Sequence, residues 1–438
     1  MRALLIGSSA LLLVCAAVAQ PKPAAPPVAV PSNAFLIRHG QVHTVGAQGT
    51  IANGDVLIVG GKIAAVGINL AAPQGATIID AQGKPVTPGL MASYTQLGIE
   101  EIDLVREAND SANDPAIDSA AFEVADAINP NSTLIPVARI RGVTRAITAP
   151  QLGKGVFFGQ AAIIQLGDSP NLVIKRQAGI LATLGPVADN NGRPTRADTW
   201  AQFRETLDDA REYWAQRSGY HRPGGSRDQR SNRIDLDALG PVIKGTEPLI
   251  VHAERASDIR AAVQYAQANH IRIVLFGAEE GWEIADELAR SQVPVILDSE
   301  HNLPTYFADI GATLKNAARL DHAGVLVTFM PQGGSAHYAR TITQIAGNAV
   351  ANGMPWDHAL AAITKNPAMV WGISDSYGTL EVGKDADVVL WDGDPLEVTS
   401  APTTVFIRGQ RVAMISRQTM LRDRYRDLRH KYPPFGYR

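Results

Sequence analysis

The chain of 438 residues has little cysteine, little net charge and few aromatic residues. Its one cysteine, Cys15, lies in an apolar N-terminal segment, so a processed chain would have neither a disulfide nor a cysteine nucleophile. A net charge of −3 gives no basis for binding nucleic acid or a membrane through overall charge. No G-x-S-x-G turn occurs and no G-x-G-x-x-G follows an early strand, so neither a serine-hydrolase elbow nor a dinucleotide loop is indicated.

The N-terminus has the pattern of a signal peptide. Arg2 gives a positive start, residues 3–18 are apolar, and Ala17-Val18-Ala19 supplies the small residues of a cleavage site. The apolar run is short for a membrane span, so the processed chain is expected to have no transmembrane segment and to be periplasmic or secreted. Lipid anchoring at Cys15 is the alternative, although Val14 is bulky for such a site. Residues 20–33 are rich in Pro and Ala and are typical of a linker.

Two kinds of pattern divide the remaining chain. Residues 34–87 and 376–415 contain short β-prone runs separated by Gly and Asp-Pro turns, and they predict one composite β-sandwich built from both ends. Residues 88–375 alternate apolar strand-like runs, such as 143–148 and 249–252, with helical stretches. This alternation predicts an α/β fold with a TIM-type (β/α)₈ barrel and a crossover helix for each strand. An open doubly wound sheet is the alternative. The basic tail, residues 416–438, predicts a docked amphipathic helix or a contact with anionic lipid.

Several blocks of sequence resemble one enzyme family. The first is residues 83–90 (GKPVTPGL), and the last is residues 378–391 (GTLEVGKDADVVLW), followed by Asp394-Pro395. Residues 252–259 and 361–369 lie between them. Together they resemble the amidohydrolase superfamily, closest to its imidazolonepropionase-like branch, over roughly residues 34–415. The resemblance implies a (β/α)₈ barrel with a split β-sandwich and metal-assisted hydrolysis of C–N bonds, usually with zinc.

The family's ligand positions are largely replaced. In the family, two histidines spaced i and i+2 lie on one face of strand one; the corresponding positions of this chain are occupied by Tyr94 and Gln96. The position of the family's strand-six histidine is occupied by Phe276, and the strand-eight aspartate would lie near Gln332. The strand-five histidine is kept as His252, and a bridging lysine falls on Lys175. A divalent metal is expected from the family, whereas these replacements predict an altered or absent metal centre.

Candidate site residues follow from these positions and from the strand ends. Metal-free acid–base chemistry would use Tyr94, Lys175, His252 and Glu254, where Glu254 shares a strand face with His252. A rebuilt mononuclear metal site would use His252, His301 and His337. Substrate-binding candidates are Gln96, Gln160, Gln332 and His337.

Two functions remain open on the sequence. The first is an exported hydrolase of C–N bonds in small amides or cyclic amides, with an altered or absent metal centre. The second is a non-catalytic relative that binds a small ligand or an envelope partner. Either one predicts a small-molecule ligand rather than nucleic acid, and a homodimer would be the commonest assembly.

Overall fold

The computed structural model describes residues 34–112, 120–153, 155–185, 195–215, 231–301, 304 and 307–426. The predicted signal peptide with Cys15, the linker, residues 216–230 and residues 427–438 of the tail lie outside these ranges. None of the helices within them is long and apolar enough to cross a membrane.

Strands account for both ends of the described chain and much of its middle. In chain order they are β1 Phe35–His43, β2 Thr50–Val59, β3 Lys62–Gly67, β4 Thr77–Asp80, β5 Pro85–Pro88, β6 Leu90–Thr95, β7 Val143–Thr148, β8 Phe157–Gln165, β9 Val173–Thr183, β10 Leu249–Ala253, β11 Ile273–Gly277, β12 Val295–Leu297, β13 Val327–Phe329, β14 Val388–Trp391, β15 Pro402–Ile407 and β16 Gln410–Arg411.

Helices lie mainly in the second half of the described chain. The α-helices are α1 Leu134–Arg139, α2 Arg196–Ala215, α3 Arg233–Ala238, α4 Gly240–Ile243, α5 Ala256–Ala268, α6 Ala285–Ser291, α7 Asn316–His322, α8 Ile342–Ala351, α9 Trp356–Ala362, α10 Lys365–Val370 and α11 Arg417–Arg426. Short 3₁₀ turns cover Arg106–Ala108, Val124–Asp126, Gly281–Ile284, Gln332–Gly334 and Ala336–Thr341. The tail helix α11 buries none of its residues, but it contacts the rest of the protein through Gln418, which accepts a hydrogen bond from Arg340 at 3.1 Å.

Strands from the two ends of the chain share one eight-stranded sheet. Its order is β16-β15-β14-β5-β1-β2-β3, and β4 pairs with β1. The antiparallel pair β5·β14 joins the two ends, with Val86 opposite Leu390. Alternating apolar residues such as Ile37, Val56 and Phe406 are fully buried in the core of this sheet. The β-prone runs predicted at both ends therefore do pair with each other.

A second eight-stranded sheet, ordered β6 to β13, curves into a nearly closed barrel. Its first and last strands approach each other through the chain that follows β13, where the Gln96 N–H donates to Gly334 O at 2.8 Å. Alternation divides its side chains between two cores. Residues such as Met91, Ile250 and Val274 fill the interior, whereas Leu249, Val251 and Leu275 pack against the surrounding helices.

The barrel departs from the regular (β/α)₈ pattern in one region. Strand β8 runs antiparallel to both β7 and β9, whereas the other neighbouring strands pair in parallel. Antiparallel neighbours need only a short connection, so no helix lies between β7 and β8 or between β8 and β9 in the described residues. The prediction of one crossover helix for each strand was wrong here.

A buried ion-pair network joins the barrel to the composite sheet. Arg145, near the start of β7, donates from Nε to Asp387 at 2.9 Å and from an Nη to Asp385 at 2.9 Å. Its guanidinium lies 5.1 Å from the centre of the Tyr377 ring. Burial is the largest single effect and lowers the pKa of Arg145, but the charge and hydrogen bond of Asp387, together with Tyr377 and Asp385, outweigh it and the pKa is raised overall. These contacts fix the barrel at the end opposite to the candidate site.

Candidate active site at the barrel mouth

A cleft of about 470 Å³ opens at the carboxyl ends of β10, β11 and β12. In barrel enzymes this end displays the functional groups. The described residues that line it are Leu152, His252, Phe276, Gly277, Glu279, Asp298, Glu300, His301, Met330, Gln332 and Gly333.

His252 stands near the end of β10 as a mostly buried, neutral imidazole. Its side chain is 14% exposed, and burial lowers its pKa to about 4. Nδ1 lies 3.2 Å from Thr183 Oγ1 on the neighbouring strand. Nε2 lies 3.7 Å from Glu254 Oε1. Because the imidazole is uncharged at neutral pH, it has a nitrogen available to accept a proton.

Three carboxylates follow three consecutive strand ends. Glu254 comes directly after β10, Glu279 two residues after β11, and Asp298 directly after β12. Burial is the first cause of the raised pKa of each. For Glu279 the negative charge of Glu254 adds to burial, and the pKa rises to about 8. Glu279 therefore holds a proton at neutral pH and can donate it.

His301 also lines the cleft, held by a buried acid. Its Nε2 lies 2.8 Å from Asp309 Oδ2, and the Asp309 side chain is only 2% exposed. This contact takes one of the two ring nitrogens of His301. Such a carboxylate–histidine pair orients the ring.

Two aromatic rings close the space beside His252. The rings of Tyr94 and Phe276 lie 4.3 Å apart, and those of His252 and Phe276 lie 5.2 Å apart. The Tyr94 hydroxyl donates to Pro150 O at 2.6 Å, and burial raises the pKa of this phenol. A Cβ added at Gly334 would come within 2.3 Å of the Tyr94 ring. Tyr94 is therefore a packed, protonated side chain, which makes it a poor acid or base.

These residues do not fit the family's metal centre. The Tyr94 and Phe276 rings fill the side where two of the expected ligands would stand, and Tyr94 already donates its proton to a carbonyl. Within the described ranges, no group of three or more His, Cys, Asp or Glu side chains is arranged to hold a metal ion. Zinc needs about four N, S or O ligands near 2 Å, which this arrangement does not offer.

The rebuilt histidine site is not assembled either. His252 and His301 both line the cleft, but His337 does not. His337 is exposed, accepts a hydrogen bond from Arg340 at 3.1 Å and packs its ring against Tyr338. The reason is the turn before it, where Gly333 and Gly334 adopt positive φ values of 58° and 75°.

Lys175 was placed wrongly by the loose match to a bridging lysine. It is exposed near the start of β9, eight residues before Thr183, which pairs with His252. At about 3.3 Å per residue it lies roughly 26 Å from the cleft, at the other end of the barrel. The cause is the length of β9, because its first residues extend beyond the barrel at the end opposite the cleft.

The predicted glutamines occupy different surroundings. Gln332 is exposed and lines the cleft. Gln96 and Gln160 are 2% and 4% exposed and do not line it. Gln160 lies within β8 opposite Ile180, three residues below the level of Thr183.

The sequence reasoning missed Glu279 as a site residue and gave Asp298 no role. Both lie at the ends of apolar strands, Glu279 two residues after Gly277 and Asp298 directly after Leu297. Attention to carboxylates at successive strand ends would have found them, since such residues share one barrel rim. Asp309 and Thr183 carried no comparable pattern.

Barrel, composite sheet and mouth cleft together define an amidohydrolase-like class of protein. The family model described as Amidohydrolase family matches residues 248–413. The solved amidohydrolase from Thermotoga maritima MSB8 is 25% identical, with a TM-score of 0.77 over 86% of this chain and 99% of that one.

Two curated relatives add to this likeness. Amidohydrolase tasK from Hapsidospora irregularis is 24% identical over 388 residues, which is 81% of this chain and 39% of that protein. A dihydroorotase from Citrifermentans bemidjiense is 46% identical over 63 residues, 14% of this chain and 15% of that one. The chain thus spans well under half the length of the curated relatives it matches. The family model, the solved structure and tasK agree in their likeness to amidohydrolases.

Proposed function

We propose that this protein is a hydrolase that cleaves a C–N bond of a small amide or cyclic amide in the cleft at the barrel mouth. The observation that carries the proposal is the neutral imidazole of His252 in the same cleft as Glu279, whose pKa is raised to about 8. Titratable groups with opposite perturbations are the arrangement that acid–base catalysis requires. The likeness to amidohydrolases supports the choice of a C–N bond.

The side chains suggest a complete proton path. Water attacks the substrate carbonyl carbon while His252 Nε2 accepts the proton that the water loses. The C–N bond breaks, and protonated Glu279 gives its proton to the leaving nitrogen. His252 then returns its proton to Glu279 through solvent, which restores both groups. Thr183 holds the other imidazole nitrogen and so keeps Nε2 directed at the water.

No step of this path uses a metal, because the donor set does not fit the family's centre. Tyr94 and Lys175 have no part in it, since the first is packed and hydrogen-bonded and the second lies far from the cleft. Glu254 acts through its charge, which helps to keep the proton on Glu279.

The test is hydrolysis of an amide, a dipeptide and a lactam by the purified protein, with and without a chelator. We expect turnover that survives chelation and falls about 100-fold or more in His252→Gln, the usual scale for a lost general base. The matched control is His358→Gln, since His358 is paired with Asp321 away from the cleft. Loss of all turnover on chelation, with recovery on adding zinc, would contradict the side-chain mechanism.

The replaced ligand positions favour a second candidate, a non-catalytic protein that binds a small ligand in the same cleft. Tyr94 and Phe276 occupy those positions with packed rings. Binding of a ligand without turnover of any compound in the panel would decide for this candidate.

Export is proposed from the N-terminal segment alone. Fractionation of bacterial cells that produce the full chain tests it. We expect a periplasmic product that begins at Gln20, and a cytoplasmic product that keeps Met1 would contradict export.

A further inference from the structure

A second cavity, of about 570 Å³, lies beside the buried ion-pair network that joins the barrel to the composite sheet. Its lining includes Gly60 and Gly61 at the β2–β3 turn, Arg408 at the β15–β16 turn, residues 167–170 between β8 and β9, and Arg139 at the end of α1. None of its described lining residues also lines the mouth cleft. The cavity is therefore a separate space, of a size usual for a small-molecule site, on the seam between the two sheets.

The lining of this seam cavity has more positive than negative charge. Its charged residues are four cations and two acids: Lys62, Arg139, Arg408, Arg411, Asp168 and Asp385. Asp385 is already shared, since it pairs with Lys62 at 2.7 Å and with the buried Arg145 at 2.9 Å. Arg408 lies 3.9 Å from the same carboxylate, and Asp168 is exposed to solvent. The acids of the lining thus leave part of its positive charge unbalanced, and such a cavity attracts an anion.

Arg139 has a donor without an acceptor. One Nη donates to Leu166 O at 3.2 Å, but Nε is shielded from solvent and has no hydrogen-bond partner among the described residues. Burial lowers the pKa of this guanidinium, and the charge of Asp168 opposes that effect. A buried donor without a partner is costly in a folded protein. Because Arg139 lines the cavity, turning its guanidinium toward a bound oxyanion would give Nε the acceptor that it lacks.

Arg411 supplies a second guanidinium that the protein holds only weakly. It is exposed, and its Nη lies 3.4 Å from Thr404 Oγ1, a long hydrogen bond to a neutral hydroxyl. The planar fork of an arginine matches two oxygens of a phosphate or a carboxylate. Arg139 belongs to the barrel and Arg411 to the composite sheet, so an anion between them contacts both parts of the protein.

We propose that the seam cavity binds a small organic anion with two or more negative charges, a phosphate monoester or a polycarboxylate, through Arg139 and Arg411. Lys62 and Arg408 remain beside Asp385 and add positive charge around the ligand. Ile407 and Val412 also line the cavity and contact the carbon part of the ligand. This site is independent of the proposed function, because the hydrolysis is assigned to the barrel mouth.

Calorimetry with charged and uncharged probes tests the binding. The probes are glycerol 3-phosphate, citrate and glycerol, each titrated into the full chain at pH 7 and one fixed, low ionic strength. We expect at least one anion to bind and glycerol to give no binding heat. The anion that binds more tightly identifies the headgroup as a phosphate or a carboxylate. Binding of neither anion, or equal binding of glycerol and glycerol 3-phosphate, would overturn the inference.

Substitution of the two arginines tests where the anion binds. Arg139→Met and Arg411→Met should each weaken binding about 10-fold or more, the usual scale for a lost hydrogen bond between charged groups. The matched control is Arg106→Met, which removes the same charge from an exposed arginine outside the cavity and should bind as the wild type does. Equal weakening in all three variants would reduce the effect to overall charge and overturn the inference. If Arg139→Met does not fold, Arg411→Met decides, since it loses only one long hydrogen bond.

Thermal unfolding gives a second measurement of the same site. A ligand that binds only the folded chain raises its melting temperature as the ligand concentration increases. We expect this rise for the anion that binds in the wild type and in Arg106→Met, and a much smaller rise in Arg411→Met. An equal rise in Arg411→Met would mean that the anion acts elsewhere and would contradict the proposal.

Discussion

Glu247 should make the stability of this protein depend on pH. It precedes β10 at the end of the barrel opposite the cleft, and it is only 4% exposed. Its Oε1 is shielded from solvent and has no hydrogen-bond partner. Burial is the main reason that its pKa rises from 4.5 to about 8, with Lys175 lowering it and Glu123 raising it by smaller amounts.

The sign follows from proton linkage. The folded protein binds the Glu247 proton more tightly than the unfolded chain does. Below pH 4.5 the side chain is protonated in both states, so its burial involves no buried charge. Stability is then lost as the pH rises from about 4.5 to about 8. At about 1.4 kcal/mol for each unit of pKa, the loss reaches at most about 5 kcal/mol above pH 8. Water reaching the carboxylate would reduce it to about 2 kcal/mol.

Glu247→Gln removes this ionisation and keeps the shape. Urea unfolding at pH 5, 7 and 9, followed by circular dichroism, measures the free energy of unfolding of both proteins. We expect Glu247→Gln to gain about 2–5 kcal/mol relative to wild type between pH 5 and pH 9. Glu397→Gln, an exposed carboxylate, is the control and should follow the wild type. Parallel pH curves for wild type and Glu247→Gln would refute the reasoning.

Three further substitutions test the packing. Arg145→Met leaves Asp385 and Asp387 buried together without their common cation, so it should lower the free energy of unfolding by about 3–5 kcal/mol. Its control, Lys62→Met, removes an exposed ion pair with Asp385 and should cost under about 1 kcal/mol. Tyr94→Phe loses the bond to Pro150 O and should cost about 1 kcal/mol by urea unfolding. Gly334→Ala places a Cβ 2.3 Å from the Tyr94 ring at a residue with φ +75°, so its melting temperature should fall. The control is Gly333→Ala, where φ is +58° and no atom lies within 4 Å of the added Cβ; its melting temperature should stay well above that of Gly334→Ala.

Hydrophobic pattern predicted the architecture where the chain alternates strands and helices. The run predicted over residues 143–148 is β7 with the same limits, and the run over 249–252 lies within β10. The pattern did not predict the direction of β8, since an apolar run has the same appearance in a parallel or an antiparallel strand. Only the short connections at 149–156 and 166–172, without room for a crossover helix, carried that information.

The site was predictable in part. His252 was found from the family resemblance and from its place near the end of an apolar strand, and the strand-end rule applied to carboxylates would have given Glu279. The contact of His301 with Asp309 depends on how the loop after β12 folds, which residue spacing does not determine. Lys175 shows the opposite error, because similarity of a short motif placed it without regard to the length of β9.

The exchanged ligand positions form one packing unit rather than separate losses. The Tyr94 and Phe276 rings pack against each other in a tilted arrangement, and the absence of a side chain at Gly334 makes room for Tyr94. The Pro150 carbonyl then satisfies the phenol that this packing buries. A single reversal, such as Phe276→His, would add one imidazole to a space that Tyr94 still fills. The chemistry at this mouth has therefore to be sought in the groups that the rings leave accessible, His252 and Glu279, on the cleft side of Phe276.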